Sequence, residues 1–211
     1  AIQYVADRDK LVSVYSIAEG SYPTMWPWPD WKALDKWEFP EIEEKYGPEL
    51  TYNPQKAEEV LDELGFKKGE DGKRRTPEGE PLSLVLLTRP APDLGYFHAT
   101  HLSDELAKIG VEGVVKAVDP GMAGELVNIG SYDLFFDVLD VAVAFPNDIY
   151  FFFESFHSKH ARPLGEYQTS GDRGRSRLKS EKIDAVAEEL AALDPEDPEY
   201  MSVAKTGLDT W

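Results

Sequence analysis

Between Leu82 and Leu139, apolar runs of strand length alternate with amphipathic stretches of helix length. The runs Leu82–Thr88, Val111–Val118 and Tyr132–Leu139 are rich in leucine, β-branched and aromatic residues and are bounded by Pro, Gly or Asp, so each reads as a strand. Between them lie Leu94–Ile109, closed by Gly110, and Pro120–Ile129, opened by Asp119 and closed by Gly130, both with helical start and stop signals. This βαβαβ order predicts an α/β fold with a mixed, largely parallel sheet and flanking helices, because parallel strands need such crossovers. Ligands of open α/β sheets bind beyond the carboxyl ends of the strands. The segments leaving those ends are Thr88–Pro92, Val118–Pro120 and Asp140–Asp148.

The same patterning extends to both sides. Ala1–Ala6 enters directly into a helical pattern, and Asp7 is placed to cap a second helix over 8–15. Asn53–Pro54 is an N-cap and first-turn pair for a helix over 54–64, with Ala57, Val60, Leu61 and Leu64 on one face and Gly65 as the stop. Lys67–Pro81 is Gly- and charge-rich and reads as a surface hairpin through Thr76-Pro77-Glu78-Gly79, its lysines and arginines in solvent. Asp148–Phe156 is an aromatic block expected to form a largely buried helix, and Ala161–Ser180 an irregular loop. Ser180 caps a helix over 181–193 with a stripe of Ile183, Val186, Ala187 and Leu190, and helix resumes from Glu199. Both chain ends lie inside a helical pattern, which leads us to expect a single α/β lobe over 1–211, excised from a longer protein.

Ser21–Pro40 changes this picture. It holds Trp26, Trp28, Trp31 and Trp37, four of the five tryptophans, with prolines at 23, 27, 29 and 40, so its first half must be extended or turning. From Asp30 to Leu34 a short helix is permitted, and another from Pro40 to Tyr46.

With 211 residues and 42% hydrophobic side chains, the chain can bury a sizeable core. A formal charge of −18 argues against a nucleic-acid partner, which would need clustered cations. The basic cluster Arg173, Arg175, Arg177 and Lys179 is short and reads as a solvated loop. There are no cysteines, so disulfides, thiolate metal sites and cysteine nucleophiles are excluded. No apolar run reaches the roughly 20 residues of a membrane span. His98 with His101 and His157 with His160 are i,i+3 pairs without a convincing third ligand, so neither metal nor cofactor is expected.

The order of segments resembles a known family. Ala1-Ile2-Gln3-Tyr4-Val5-Ala6-Asp7-Arg8-Asp9-Lys10-Leu11-Val12, Tyr52-Asn53-Pro54-Gln55-Lys56-Ala57 running to Glu63-Leu64-Gly65-Phe66, Glu78-Gly79-Glu80-Pro81-Leu82, Leu106-Ala107-Lys108-Ile109-Gly110-Val111 and Gly130-Ser131-Tyr132-Asp133-Leu134 are similar, in order and spacing, to segments of the extracytoplasmic solute-binding proteins of ABC importers. These are the oligopeptide, dipeptide and oligosaccharide binders. The resemblance implies one lobe, the C-terminal one, of a two-lobed periplasmic-binding-protein-like fold that closes on its ligand about a hinge. It implies an amino-terminal lobe and a signal or anchor outside this sequence, a membrane permease as partner, an extracytoplasmic location, and binding without catalysis.

Peptide binders of this family carry a Trp and then an Asp just after the third strand, and that carboxylate grips the peptide amino terminus. Here Asp140–Asp148 has neither where the motif wants it, although Asp140 or Asp148 could substitute. The Trp- and Pro-rich loop over 21–40 offers aromatic faces for sugar rings, with carboxylates and amides for the hydroxyls. We therefore expect an oligosaccharide ligand, with a peptide as the alternative, and candidate contacts at Trp26, Trp28, Trp31, Arg89, Asp140, Asn147 and Tyr150. Each has a plainer reading: the tryptophans as covering surface, Arg89 as a salt bridge to Asp93 or Asp119, Asn147 as a cap and Tyr150 as a core aromatic. A carbohydrate-active enzyme would need a carboxylate pair of definable separation, and a pure interaction module would use the Trp/Pro loop as its contact surface.

Overall fold

The computed structural model describes residues 1–15, 26, 32–136, 148–169 and 173–210. The chain divides into two compact units. The first takes in the described residues of Ala1–Tyr22, Pro48–Leu126 and Tyr132–Asp137, and the second those of Pro23–Gly47, Val127–Ser131 and Val138–Trp211.

The first unit holds a sheet of order β2-β1-β3, with β1 Ser83–Thr88, β2 Glu112–Ala117 and β3 Leu134–Phe135. Both pairings are parallel, with Ser83 opposite Glu112 through Thr88 opposite Ala117, and Leu86 and Leu87 opposite Leu134 and Phe135. Central β1 ends in the fully buried run Leu86-Leu87-Thr88, as expected of a parallel strand covered on both faces. Edge strand β2 alternates in exposure, with Glu112 and Val114 in solvent. The third run, expected to extend to Leu139, is paired at Leu134 and Phe135, and 137–139 fall outside the described residues.

Around the sheet lie α1 Ile2–Val5, α2 Arg8–Tyr15, α4 Pro54–Glu63, α5 Leu94–Lys108 and the first part of α6 Pro120–Ile129. Caps are where the sequence put them. Asp7 accepts Lys10 N–H at 3.0 Å, Asn53 accepts Lys56 N–H at 3.0 Å, and Asp119 accepts the N–H groups of Gly121 and Met122 at 3.1 Å. Val5, Ala57, Leu61, Leu86, Leu102 and Leu106 belong to one buried cluster. Gly110 ends α5 at φ +83°, and a Cβ there would stand 2.5 Å from the Gly72 carbonyl oxygen. Only glycine meets both demands.

One basic residue of the hairpin contradicts its sequence reading. Arg74 is 1% exposed, because its guanidinium is the hub of backbone acceptors. Its Nε donates to Ile109 O at 2.9 Å, Nη1 to Phe66 O at 2.6 Å and to Asp62 Oδ1 at 2.7 Å, and Nη2 to Glu58 O at 3.3 Å. The hairpin itself forms as expected, with antiparallel bridges Lys68 to Arg74 and Arg75 to Pro81.

The second unit is helical, built from α3 Pro40–Tyr46, α7 Tyr150–Ser155, α8 Glu181–Ala192 and α9 Pro198–Thr210. The short helix permitted from Asp30 appears, in its described part, as a turn over 32–34 followed by a 3-10 turn Asp35–Trp37. Trp37, Ile42, Phe152, Phe153, Leu190 and Tyr200 lie in its buried cluster. α9 approaches through Gly207, where a Cβ would stand 2.6 Å from both Phe153 and Val186. Ser180 caps α8 through Ile183 N–H at 3.4 Å. Arg177, read from the sequence as solvated, instead uses both terminal nitrogens on the carbonyls of Asn128, Arg162, Pro163 and Glu166 and so organises the loop before α8.

Candidate functional site

In the first unit the carboxyl end of β1 leads into Arg89, a cis Ala91–Pro92 peptide and Asp93, whose carboxylate caps α5 through Gly95 N–H at 2.8 Å. Arg89 Nη1 lies 3.8 Å from Asp93 Oδ2, and their side chains are 42% and 33% exposed. Of the two salt-bridge partners considered from sequence, the pair with Asp93 is formed. The guanidinium is thus partly exposed at the strand end, with one edge beside the Asp93 carboxylate. Thr88 beside it is fully buried, donating Oγ1–H to Arg89 O at 3.2 Å, while Val118 N–H donates to Thr88 O at 3.0 Å. The strand end is therefore fixed from below.

The second unit places Tyr150 at the start of α7, half-buried, with its ring edge-on to Phe151 at a centroid separation of 5.2 Å. Its N–H donates to Asp148 Oδ1 at 3.0 Å and to the Tyr200 hydroxyl at 3.1 Å. Tyr200 in turn donates its O–H to Asp148. Burial pushes the Tyr200 hydroxyl far above its ordinary range, and the bond to the Asp148 carboxylate pushes it further. Asp148 is thus engaged by a buried phenol and a helix-start amide. Its Oδ1 anchors the start of α7.

Trp26 is 7% exposed and belongs to the buried cluster with Leu34, Trp37 and Ile42. That corrects its place among the stacking residues, since a ring with so little accessible surface has no face for a sugar. Trp28, Trp31, Asp140 and Asn147 lie outside the described residues. Of the three described candidates, Arg89 lies in the first unit, and Trp26 and Tyr150 in the second, where Tyr150 packs against the buried cluster that holds Trp26.

Sequence reasoning missed the tight carboxylates. Glu105, 2% exposed in the first unit, accepts from Tyr52 at 2.6 Å and from Lys108 at 2.7 Å. Glu154, 5% exposed in the second, lies 2.7 Å from His160 Nε2, 2.9 Å from Arg173 Nε and 3.3 Å from Lys159 Nζ. Both are held below the ordinary carboxylate range although burial, the largest single influence on each, pushes the other way; their hydrogen-bonded cations outweigh it. Asp184, outside the apolar stripe of α8, accepts Ser158 N–H at 2.7 Å and lies 3.2 Å from His157 Nδ1. A signal existed for Glu105 and Lys108, which are i,i+3 on one helix, but none for partners 53 residues apart.

A groove of about 370 Å³ lies at the amino ends of β1 and β2, lined by residues including Ile2, Leu61, Phe66, Leu82, Leu84 and Val111. Its lining is almost wholly aliphatic and aromatic, and it sits at the opposite end of the sheet from Arg89. Among the described residues no cluster of three His, Asp or Glu could hold a metal ion, and no helix is long and apolar enough to cross a membrane.

The chain is similar to proteins of known class. A probable ABC transporter-binding protein of Deinococcus radiodurans is 30% identical over 124 residues, which is 56% of this chain and 19% of that protein. Among solved structures, a mannohexaose-bound periplasmic oligopeptide-binding protein of Thermotoga maritima matches 99% of this chain over 38% of its own, at TM-score 0.75 and 21% identity. The oligopeptide-binding protein AppA of Bacillus subtilis, in complex with a nonapeptide, matches the same shares at TM-score 0.71 and 19% identity. The chain thus spans well under half the length of these relatives, and the expected α/β fold is that of part of a periplasmic binding protein. The model of the middle part of the bacterial extracellular solute-binding proteins, family 5, matches residues 1–162, and to that family the chain belongs.

Proposed function

We propose that this chain is part of the solute-binding component of an ABC importer, working outside the cytoplasm, without catalysis, and handing its ligand to a membrane permease. The family match over 1–162 carries this reading, and the fold likeness to periplasmic binding proteins supports it. The rest of the binding protein, including a second lobe, would lie outside this sequence.

We infer further that the ligand is an oligosaccharide. The observation that supports this is the engagement of Asp148 Oδ1 by Tyr200 and Tyr150, which makes Asp148 the less available of the two carboxylates able to replace the peptide-gripping aspartate of the family. The family name does not decide between ligands, since the Thermotoga protein named for oligopeptides holds mannohexaose. In this reading Trp28 and Trp31 stack on sugar rings, and Arg89, Asp140, Asn147 and the Tyr150 ring serve hydroxyls. Peptide capture through Asp140 is the second reading, favoured by relatives such as AppA with its nonapeptide.

A thermal-shift screen of the complete protein with mannohexaose, other oligosaccharides and mixed short peptides separates the two. A ligand at one hundred times its Kd stabilises by about 2.7 kcal/mol, a shift of several degrees. The expected result is a shift with a sugar and none with peptides; the reverse overturns the ligand class. In the sugar case Asp140→Ala weakens binding more than Asp148→Asn does.

A further inference from the structure

The turn between α7 and α8 sets one imidazole against neighbours that it cannot serve together. His157 caps the 3-10 turn Ser158–His160, its Nδ1 accepting the Lys159 N–H at 3.2 Å. The same nitrogen stands 3.2 Å from Asp184 Oδ1 on α8, and Nε2 stands 3.6 Å from Glu188 Oε1 on that helix. The His157 side chain is 12% exposed, so water does not readily substitute for these partners.

A ring nitrogen carries either a lone pair or a proton. With the lone pair, Nδ1 accepts from Lys159 but faces a carboxylate oxygen that is itself an acceptor. With the proton, it donates to Asp184 and turns N–H against the N–H of Lys159. Nε2–H can serve Glu188 in either case. Asp184 keeps one bond whatever the ring does, the Ser158 N–H at 2.7 Å. Within the turn, the Lys159 ammonium and His160 Nε2 lie 3.3 and 2.7 Å from Glu154 of α7, and Arg173 lies 2.9 Å from the same carboxyl group. The acidic groups left facing His157 are therefore Asp184 and Glu188.

We propose that His157 is a pH-operated joint. Neutral, it caps the turn. On taking a proton from solvent at Nδ1 it releases the Lys159 N–H and adds an Nδ1–H bond to Asp184, beside the Ser158 N–H bond that joins the turn to α8 in both states.

The test is an NMR titration of the ¹⁵N-labelled chain from pH 8 to pH 5, following the imidazole nitrogens of His157 and the Lys159 amide. At pH 8 the ring should show an unprotonated Nδ1 and a protonated Nε2. As the ring takes up its proton, the Lys159 amide proton should shift upfield with the same midpoint and lose protection from exchange. His157→Asn keeps an acceptor at the cap and cannot titrate, so its Lys159 amide should hold still over that range. A protonated Nδ1 at pH 8, or a wild-type Lys159 amide that behaves as in His157→Asn, overturns the proposal. The tautomer is read on the wild type alone and decides the matter even if a variant fails to fold.

Discussion

Replacing Arg74 by alanine removes a cation that is 1% exposed and donates to the carbonyls of Ile109, Phe66 and Glu58 as well as to Asp62. The four acceptors differ. Asp62 is half in solvent and simply rehydrates when its partner goes, so it adds little. The carbonyls of Ile109 and Phe66, at 2.9 and 2.6 Å, lose charged donors worth about 1.5–3 kcal/mol each, while the 3.3 Å contact to Glu58 is weaker. Water entering the vacated space recovers part of this, leaving an expected loss of about 3–5 kcal/mol, the range found when one member of a buried pair is removed. For a unit on the order of 100 residues that lowers Tm by at least roughly 12 °C. The described tryptophans Trp26 and Trp37 lie in the second unit, so their fluorescence reports the wrong place. Denaturant-dependent hydrogen exchange of peptides covering α4, α5 and β1 is the suitable assay. Arg74→Ala should lose protection there, Arg74→Lys should lose about half as much, and Asp62→Asn, which keeps an acceptor but takes the carboxylate from a buried guanidinium, should lose less than Arg74→Ala. A loss below about 1 kcal/mol in Arg74→Ala would refute the reasoning, because the carbonyls would then be satisfied without the guanidinium.

The other expectations follow from the same contacts. Gly110→Ala combines a left-handed backbone with a Cβ 2.5 Å from the Gly72 carbonyl oxygen, so it should cost more than about 2 kcal/mol in denaturant unfolding, where Gly124→Ala in open space within α6 should be neutral or mildly stabilising. Tyr200→Phe deletes the hydroxyl that bonds Asp148 and the Tyr150 N–H, and should cost about 2 kcal/mol by thermal unfolding; a loss of a few tenths would mean that Asp148 finds water instead. Glu154 is held below its ordinary value of 4.5, so its contribution is complete above that value and fades as the pH falls through the lower folded-state value. Glu154→Gln should therefore flatten the decline of Tm below about pH 4.5, and an unchanged slope would show that His160, Lys159 and Arg173 do not lower it.

What the sequence determined by itself is whatever rests on neighbours in the chain. The strands Leu82–Thr88 and Val111–Val118, the crossover helices, and the caps at Asp7, Asn53, Asp119 and Ser180 were legible, because period, capping and turn chemistry act over a few residues. The family was legible for a related reason, since short segments in fixed order survive as local patterns. Fates set by distant partners were not. Arg74 and Arg177 read as solvated cations, yet one is buried on the carbonyls of α4 and α5 ends and the other gathers four carbonyls of its own unit. Asp184, outside the apolar stripe of its helix, is claimed by a turn 26 residues earlier, and Asp148 by a tyrosine 52 residues later. Trp26, in a loop whose composition suggested a stacking surface, fills a core instead. A polar or aromatic side chain goes wherever burial and unmet hydrogen bonds make it most stable, and only the tertiary arrangement fixes which donors and acceptors those are.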